Sequence, residues 1–375
     1  MKDGVFIVGD EVISPFGLDS QLNFEQILAG NTAIAAINDV AISDHRIYAA
    51  RIDEEQWVAN IKDGHRYTRL EKLFILVLTS LIHEYEIPLD KSTLVVLATT
   101  KGNIGLLHNP LRAFPEERVR LTVMANEIQH YFGFENQIIP ISNACISGSL
   151  AISVAQRLLQ QDTRYKRAIV VGGDELSKFI VSGFNAFQAL ADECCRPFDR
   201  DRKGLNLGEA IAAVYLSKTP ANDAIRIVGA GSRNDANHIS GPSRTGEGLY
   251  LSIQEAMLEA GQPALDFISA HGTATPYNDE MEAIAIQRSG LSAIPLHSLK
   301  AYYGHTLGAS GLLETILGIR SLKNNRLVPS LGFAHQGTSR QLNIITKSTS
   351  QPLNAFLKTA SGFGGCNIAT IFQKV

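Results

Sequence analysis

A cysteine, two histidines and a lysine stand where side-chain chemistry is plausible, and Cys145 is the first of them along the chain. It lies between an Ile-rich segment typical of a buried strand and a segment whose apolar residues have helical spacing. The amino end of a helix favours a thiolate, the nucleophilic form of cysteine. Ser147, Gly148 and Ser149 are small, so a substrate could approach closely. On these residues alone, a buried structural cysteine is the simpler interpretation.

The other three reactive side chains follow strand-like segments in the second half of the chain. His271 comes after one such segment, and Lys300 and His305 come after another. A turn at 360–367 is rich in glycine, which permits positive φ and leaves backbone N–H groups free to face a ligand. One histidine at a strand end is more often structural. A cysteine, two histidines, a lysine and a glycine-rich turn, all at strand ends, are typical of an active site.

The composition predicts a soluble protein with a large core. The chain has 375 residues, of which 45% are hydrophobic and 19% are charged, enough for one large domain or two fused ones. A net charge of −3 implies no broad basic surface for nucleic acid. Neither a signal peptide nor an apolar run long enough to span a bilayer is predicted.

The four cysteines argue against disulfides and metal binding. Cys194 and Cys195 are adjacent and would bridge only with strain, and no cysteine or histidine spacing matches a metal site. We therefore expect no metal and a reduced, cytoplasmic protein.

Strand and helix signals alternate along the chain, which predicts an α/β fold around a largely buried sheet. A weak repeat suggests two similar halves. Residues 1–220 would carry Cys145, and residues 221–375 would carry His271, Lys300, His305 and the glycine-rich loop. The alternative is that any two strand–helix units of an α/β protein look alike.

These motifs resemble those of the elongating type of β-ketoacyl-[acyl-carrier-protein] synthase, in the thiolase superfamily. The matches are Ala-Cys-x-Ser-Gly at Cys145, His-Gly-Thr-x-Thr-Pro at His271, Lys-x-x-x-Gly-His-x-x-Gly-Ala-x-Gly-x-x-Glu from Lys300, and Gly-Phe-Gly-Gly-x-Asn from Gly362. They occur in the family's order along nearly the whole chain. The resemblance implies duplicated thiolase-like halves that form a single layered αβαβα unit. It also implies no cofactor, an acyl carrier protein as partner, and a homodimer or a heterodimer with a ketosynthase-like subunit.

The resemblance further implies decarboxylative Claisen condensation. Cys145 would attack an acyl thioester and become acylated. His271 and His305 would then donate hydrogen bonds to the carbonyl of a malonyl thioester and stabilise the enolate formed on loss of CO2. Lys300, paired with Glu282, would hold the histidines in place, although this pair could equally be a structural one.

The glycine-rich loop and its neighbours would shape the pocket. Phe363 would gate the acyl-cysteine, and its N–H would form the oxyanion hole with that of Cys145. Substrate-binding positions implied by the resemblance are Ser361, Gly362, Gly364, Thr273 and Thr275.

A basic rim for the acidic carrier protein is also expected. The candidates by position in the family pattern are Arg66, Arg69, Lys72, Arg200, Arg202 and Lys203. The default for any one of them is a solvated surface charge.

The chain departs from the family pattern at two positions beside the glycine-rich loop. Cys366 stands where the family commonly has threonine, and a thiolase would use a second active cysteine near this turn. Ser361 stands where an aromatic residue is common, which suggests a roomier or more polar pocket. These features hint at a specialised member, such as one that makes aryl polyene pigments, rather than an enzyme of ordinary fatty-acid or polyketide synthesis.

Two other functions are alternatives to the condensing enzyme. A chain-length-factor-like partner subunit of a ketosynthase heterodimer would usually lack the nucleophile, which is present here as Cys145. An unrelated Cys–His hydrolase would not need two histidines and a lysine at strand ends.

Overall fold

Helices and strands alternate in the computed structural model, which describes residues 4–53, 58, 61–108, 114–237 and 241–375. The described helices are α1 (Ser20–Leu28), α2 (Arg69–Glu84), α3 (Leu121–Phe132), α4 (Ser147–Gln161), α5 (Lys178–Ala186), α6 (Glu247–Ala260), α7 (Pro276–Arg288), α8 (Lys300–Tyr303) and α9 (Ser310–Asn324). The described strands are β1 (Phe6–Ser14), β2 (Gly17–Leu18), β3 (Ala35–Ile37), β4 (Ile47–Ala50), β5 (Thr93–Ala98), β6 (Ile139–Ile141), β7 (Arg167–Asp174), β8 (Leu207–Gly208), β9 (Ala210–Ser217), β10 (Ile225–Asn234), β11 (Phe267–Ser269), β12 (Pro295–His297), β13 (Arg326–Leu327), β14 (Asn343–Ile344), β15 (Thr349–Ser350), β16 (Ala355–Gly362) and β17 (Cys366–Lys374).

The central sheet repeats one topology twice. From its middle outward, the first half runs β1, β9, β7, β5, β6, and the second runs β10, β17, β16, β11, β12. In each half the first two pairings are antiparallel and the next two are parallel. β1 also pairs with β10, which joins the halves. The duplicated α/β fold is therefore confirmed. The division at residue 220 falls between β9 and β10 and stays a prediction.

Five layers result from the alternation of side chains along the strands. Val96 of β5 and Val170 of β7 face a core that contains α4 and α9, while their neighbours Val95 and Ile169 face a second core containing α2 and α3. A third core lies between the second half of the sheet and helices α6 and α7. The order is therefore helices, sheet, the α4–α9 pair, sheet, helices, as the layered αβαβα prediction requires.

Local signals explain where several elements begin and end. Helix α2 begins with a capping box, which Thr68 and Glu71 form. Strand β1 is mostly buried along its length to Ser14, where the chain turns back into β2. None of the helices in the described ranges is both long and apolar enough to cross a membrane.

Candidate active site

A cavity of about 480 Å³ collects residues from both halves of the fold. It brings together most of the predicted catalytic and pocket residues: Cys145, His271, His305, Phe363, Ser361, Gly362, Gly364, Thr273 and Thr275. Lys203 also lines it, but the other predicted docking residues do not. Lys300 and Glu282 are fully buried behind its wall.

Cys145 lies in the turn between β6 and α4. The preceding residue, Ala144, has a φ of +46°, and the Ser147 hydroxyl accepts a hydrogen bond from Asn143 N and donates one to Ala144 O. Burial raises the pKa of the Cys145 thiol to about 12, with Cys366 nearby as a further cause. Burial thus opposes the thiolate that the helix end favours, and it outweighs the nearby positive charge of Lys300.

Glu282 of α7 fixes the turn that carries His271. Its two carboxylate oxygens accept hydrogen bonds from the backbone N of His271 at 2.8 Å and of Gly272 at 2.7 Å. The Thr359 hydroxyl donates to the same carboxylate at 2.6 Å. The predicted pairing of Glu282 with Lys300 is wrong, since Glu282 is occupied by these three donors.

Lys300 instead pairs with Glu314 of α9. Its Nζ lies 2.7 Å from Glu314 Oε1 and 3.4 Å from His271 Nδ1. An ammonium group can only donate hydrogen bonds, so Nδ1 of His271 must accept. The imidazole proton of His271 therefore lies on Nε2, so that Nε2 can donate a hydrogen bond. This geometry is consistent with the expected role of Lys300 in orienting His271, although the carboxylate that holds Lys300 is Glu314 and not Glu282.

Lys358 of β16 is a second lysine on the same carboxylate, and the sequence reasoning missed both it and the role of Glu314. Its Nζ lies 2.6 Å from Glu314 Oε2. The available signals were a lysine inside an apolar strand-like segment and the glutamate that ends the Lys300 motif. Burial alone would raise the pKa of Glu314, but Lys300 and Lys358 outweigh it and lower that pKa to about 2.

His305 faces the first histidine across the cavity wall. The ring centroids of His271 and His305 are 5.2 Å apart, with the rings nearly perpendicular. Two backbone hydrogen bonds hold His305 against β8 and the residue before it. His305 N donates to Asn206 O at 2.7 Å, and Gly208 N donates to His305 O at 3.1 Å. Neither ring nitrogen of His305 has a hydrogen-bond partner within the described chain. A ligand in the cavity could supply the missing partners.

Both histidines are uncharged near neutral pH. Burial, followed by the positive charge of Lys300, lowers the pKa of His271 well below its usual value. The same two causes, in the same order, lower the pKa of His305. A neutral imidazole can donate from one ring nitrogen and accept at the other.

The turn between β16 and β17 closes over the nucleophile. A Cβ atom on Gly362 would lie 3.0 Å from Cys145 N, so only glycine lets this loop lie so close to that amide. The Phe363 side chain is 37% exposed, and its ring stacks on Phe184 at 5.5 Å and meets Phe187 edge-on at 5.2 Å. The two phenylalanines from the α5 region were not predicted. Together the three rings cover one side of the cavity.

Polar groups occupy the place of the expected aromatic ring. The Ser361 hydroxyl donates to Asn367 Oδ1 at 2.7 Å, and Asn367 Nδ2 donates to Asp235 Oδ2 at 3.0 Å. All three residues line the cavity. This wall is more polar than an aromatic side chain would make it. The expected roomier and more polar pocket stays a prediction.

Thr273 and Thr275 line another part of the wall. Their hydroxyl groups are 2.8 Å apart, and Thr273 N donates to Asp279 Oδ1 at 2.9 Å. Burial raises the pKa of Asp279 to about 6, although hydrogen bonds from Phe198 N and Asn278 and the charge of Arg202 lower it. The hydroxyls are suited to hold a polar linker that enters the cavity.

Cys366 is buried behind the loop. Its Sγ donates to Phe363 O at 3.5 Å and to Asn143 O at 3.7 Å, and burial raises its pKa to about 11. It is not among the described residues that line the cavity, so its position does not favour a second catalytic thiol.

Two of the six predicted docking residues are used inside the protein. Arg69 binds Glu209 at 2.8 Å and Glu175 at 3.2 Å. The Arg202 side chain is only 8% exposed, and it donates to the carbonyls of Gly337 and Asp199. Neither fits an exposed docking rim, because both guanidinium groups satisfy buried acceptors.

The remaining docking candidates differ in exposure. The Arg200 side chain is 64% exposed and that of Lys203 is 61% exposed. Arg66 is exposed and Lys72 is half-buried. Lys203 is the member of this group that also reaches the cavity.

Comparison with protein families gives two adjoining matches. Residues 2–221 match the model described as the N-terminal domain of beta-ketoacyl synthase, and residues 224–334 match its C-terminal domain. Curated relatives include 3-oxoacyl-[acyl-carrier-protein] synthase 2 of Staphylococcus aureus, 27% identical, with 99% of this chain and 98% of that protein covered. The enzyme of the same name from Rhizobium meliloti is also 27% identical, with the same coverage.

Solved structures share the fold. A chain of the complex of the ketosynthase ApeO with its chain length factor ApeC from Xenorhabdus doucetiae superposes with a TM-score of 0.90 at 24% identity. The alignment covers 100% of this chain and 98% of that one. A beta-ketoacyl synthase from Burkholderia phymatum gives 0.89 at 23% identity, with both chains fully covered.

Proposed function

The chain belongs to the β-ketoacyl synthase family, and we propose that it condenses a malonyl group, carried on acyl carrier protein, with an acyl group held on Cys145. The product chain is longer by two carbons. The observation that carries this function is the cavity where Cys145 meets two neutral histidines, one of them with both ring nitrogens unpartnered among the described residues. Nucleophile and enolate-stabilising donors share one site.

Acylation comes first. Cys145 Sγ attacks the acyl thioester, the carrier's thiolate leaves, and the proton of Cys145 goes to that thiolate. Because burial raises the pKa of this thiol to about 12, the proton needs an acceptor. His305 is the candidate, since it is neutral and shares the cavity. The N–H groups of Cys145 and Phe363 are proposed to hold the oxyanion.

Decarboxylation and condensation follow. His271 Nε2–H and His305 donate to the malonyl thioester oxygen, the bond to the carboxylate breaks, and CO2 leaves the electron pair in an enolate. The enolate carbon attacks the acyl-Cys145 carbonyl, and Cys145 departs as a thiolate that takes a new proton from water. Lys300 keeps His271 in the donating tautomer through the 3.4 Å contact with Nδ1.

The proposal extends to the partners and the location of the protein. Curated relatives are named 3-oxoacyl-[acyl-carrier-protein] synthase 2, and the exposed Lys203 at the cavity suits an acidic carrier. We propose a dimer, with itself or with a ketosynthase-like subunit. All four cysteines are free, in keeping with a reducing, cytoplasmic location.

Intact-mass analysis after incubation with a panel of acyl carrier proteins tests the function. The wild type should gain an acyl mass that Cys145→Ala lacks, and Cys194→Ser, altered at an exposed cysteine, should gain the same mass. Cys145→Gln should release CO2 from malonyl carrier protein without condensation. Full condensing activity in Cys145→Ala would rule out the mechanism. A wild type that is never acylated would favour a chain-length-factor-like partner role.

The two histidines are tested separately. His271→Ala and His305→Ala should each slow CO2 release from radiolabelled malonyl carrier protein by about two orders of magnitude, as for loss of one oxyanion donor. Native rates of release in both variants would show that the assigned roles are wrong.

A further inference from the structure

Lys358 is a buried cation that the condensation scheme leaves unused. Its side chain is 1% exposed in the middle of β16. Its Nζ lies 2.6 Å from Glu314 Oε2 and from Thr359 O, 3.2 Å from Ser269 O and 3.5 Å from Ala270 O. Three backbone carbonyls and a carboxylate therefore surround one ammonium group.

Burying this ammonium group costs free energy, which its contacts with Glu314 and the carbonyls must offset. Removing an ammonium ion from water costs several kcal/mol even after relaxation, and a strand position facing a core normally carries an apolar side chain. Burial lowers the pKa of Lys358, and Glu314 opposes that shift. Since Lys300 also binds Glu314, two ammonium groups share one carboxylate, and the other nearby carboxylate, Glu282, accepts from backbone N–H groups and the Thr359 hydroxyl instead.

Two routes connect Lys358 to His271. Ser269 and Ala270, whose carbonyls bind the ammonium group, directly precede His271. Glu314 binds Lys300, which contacts His271 Nδ1. Lys358 is not among the described residues that line the cavity, so any effect on the reaction passes through these neighbours.

We propose that Lys358 is a positioning residue for the condensation, whose ammonium group anchors the turn before His271, neutralises the Glu314 carboxylate that holds Lys300 and adds positive charge behind the two cavity histidines. The inference rests on the proposed function. An uncharged His305 can accept the Cys145 proton. The malonyl group loses CO2 more readily beside an uncharged His271, because an imidazolium at that position would stabilise the malonyl carboxylate. Other charged or titratable groups that act on Lys358 and the two histidines are Lys300, Glu314, Glu282 and His297.

The pH profile of Lys358→Met separates charge from shape. Methionine keeps most of the volume but removes the positive charge, so the pKa values of His271 and His305 should rise and the acid limb of the condensation profile should move to higher pH. A shift of one pH unit lowers activity about tenfold on that limb and leaves the alkaline side little changed. Lys347→Met, which alters an exposed lysine, should keep the wild-type profile.

Chemical rescue is the second measurement. Lys358→Ala leaves a space lined by the same four oxygen atoms, and ammonium or methylammonium chloride should restore activity there. Tetramethylammonium chloride at equal ionic strength should not, because it is too large to be held by these oxygens. Lys358→Met should not be rescued, since its side chain fills the space. Should both variants fail to fold, Lys358→Gln retains donors for the carbonyls without the charge and should show the same acid-limb shift.

NMR titration of the labelled histidines gives a readout that does not need turnover. Lys358→Met should raise the pKa of His271 and His305 towards the usual value of about 6.5. An unchanged titration, or a loss of activity that is equal at every pH and not rescued, would overturn the proposal. A wild type that titrates as expected but never condenses would instead count against the proposed function alone.

Discussion

The reactivity of Cys145 is decided by two opposing local effects. The amino end of α4 favours the thiolate, whereas the enclosed position between Ala144 and the glycine-rich loop removes water from it. Burial wins, and the pKa of Cys145 rises to about 12. The thiol is therefore protonated at rest and becomes a nucleophile only when a neutral histidine accepts its proton.

Alkylation should reveal this high pKa. The thiolate fraction increases tenfold per pH unit below the pKa, so the rate of Cys145 modification by iodoacetamide should keep rising from pH 7 to about pH 10 without a plateau. Peptide mass spectrometry separates Cys145 from the exposed Cys194, which serves as an internal comparison. A plateau below pH 9 would contradict the raised pKa.

Residue types and motif spacing were enough to identify the reactive side chains but not their partners. Cys145, His271, His305 and Phe363 were predicted, and they share one cavity. The partner of Lys300 was not, because Glu282 and Glu314 are both buried glutamates and only the three-dimensional packing shows which one Lys300 reaches.

At the scale of elements, the site depends on how closely α4 approaches α9. Both helices begin with small residues, and a Cβ atom on Gly311 would lie 2.6 Å from Ser149 N. A Cβ atom on Gly148 would lie 2.7 Å from Gly308 O. The close approach brings the turn of Cys145 next to the segment that carries His305.

Gly311→Ala should separate the two helices. The added methyl group meets backbone atoms that cannot rotate away, so we expect about 1–3 kcal/mol of destabilisation, seen as a lower thermal unfolding midpoint, and slower Cys145 acylation. Gly183→Ala is the matched control, since Gly183 lies in α5 with open space at its Cβ position. Equal midpoints for the two variants would show that the α4–α9 contact is not tight.

Periodicity predicted most of these elements because strands and helices in an α/β core are apolar runs with a clear repeat. It could not give the order of strands in the sheet, which depends on contacts far apart in sequence. Nor could it show that the side chains of Arg69 and Arg202 point inward, because the sequence does not distinguish an arginine that faces water from one that faces a buried carboxylate.

For the molecule as a whole, duplication explains why the site is shared between the halves. β6 and β12 occupy equivalent places in the repeated topology. Cys145 follows the first of these strands, while Lys300 and His305 follow the second. The halves meet through the α4–α9 pair, so the nucleophile of one half faces the histidine of the other.

Lys203 is the one lysine or arginine among the described residues that line the cavity shared by the two halves, and its exposed ammonium group pairs with Glu193 at 3.2 Å. We expect Lys203→Glu to raise the KM for acyl carrier protein substrates by roughly fivefold, about 1 kcal/mol, through repulsion of an acidic partner. KM for a small thioester mimic should not change, and the effect should shrink as salt screens the charges. Arg164→Glu is the matched control, because the Arg164 side chain is 76% exposed in the loop before β7 and does not line the cavity. An equal rise in KM for carrier-bound and small substrates would place the defect in the cavity itself, since Lys203 would then act on the bound thioester rather than on the carrier.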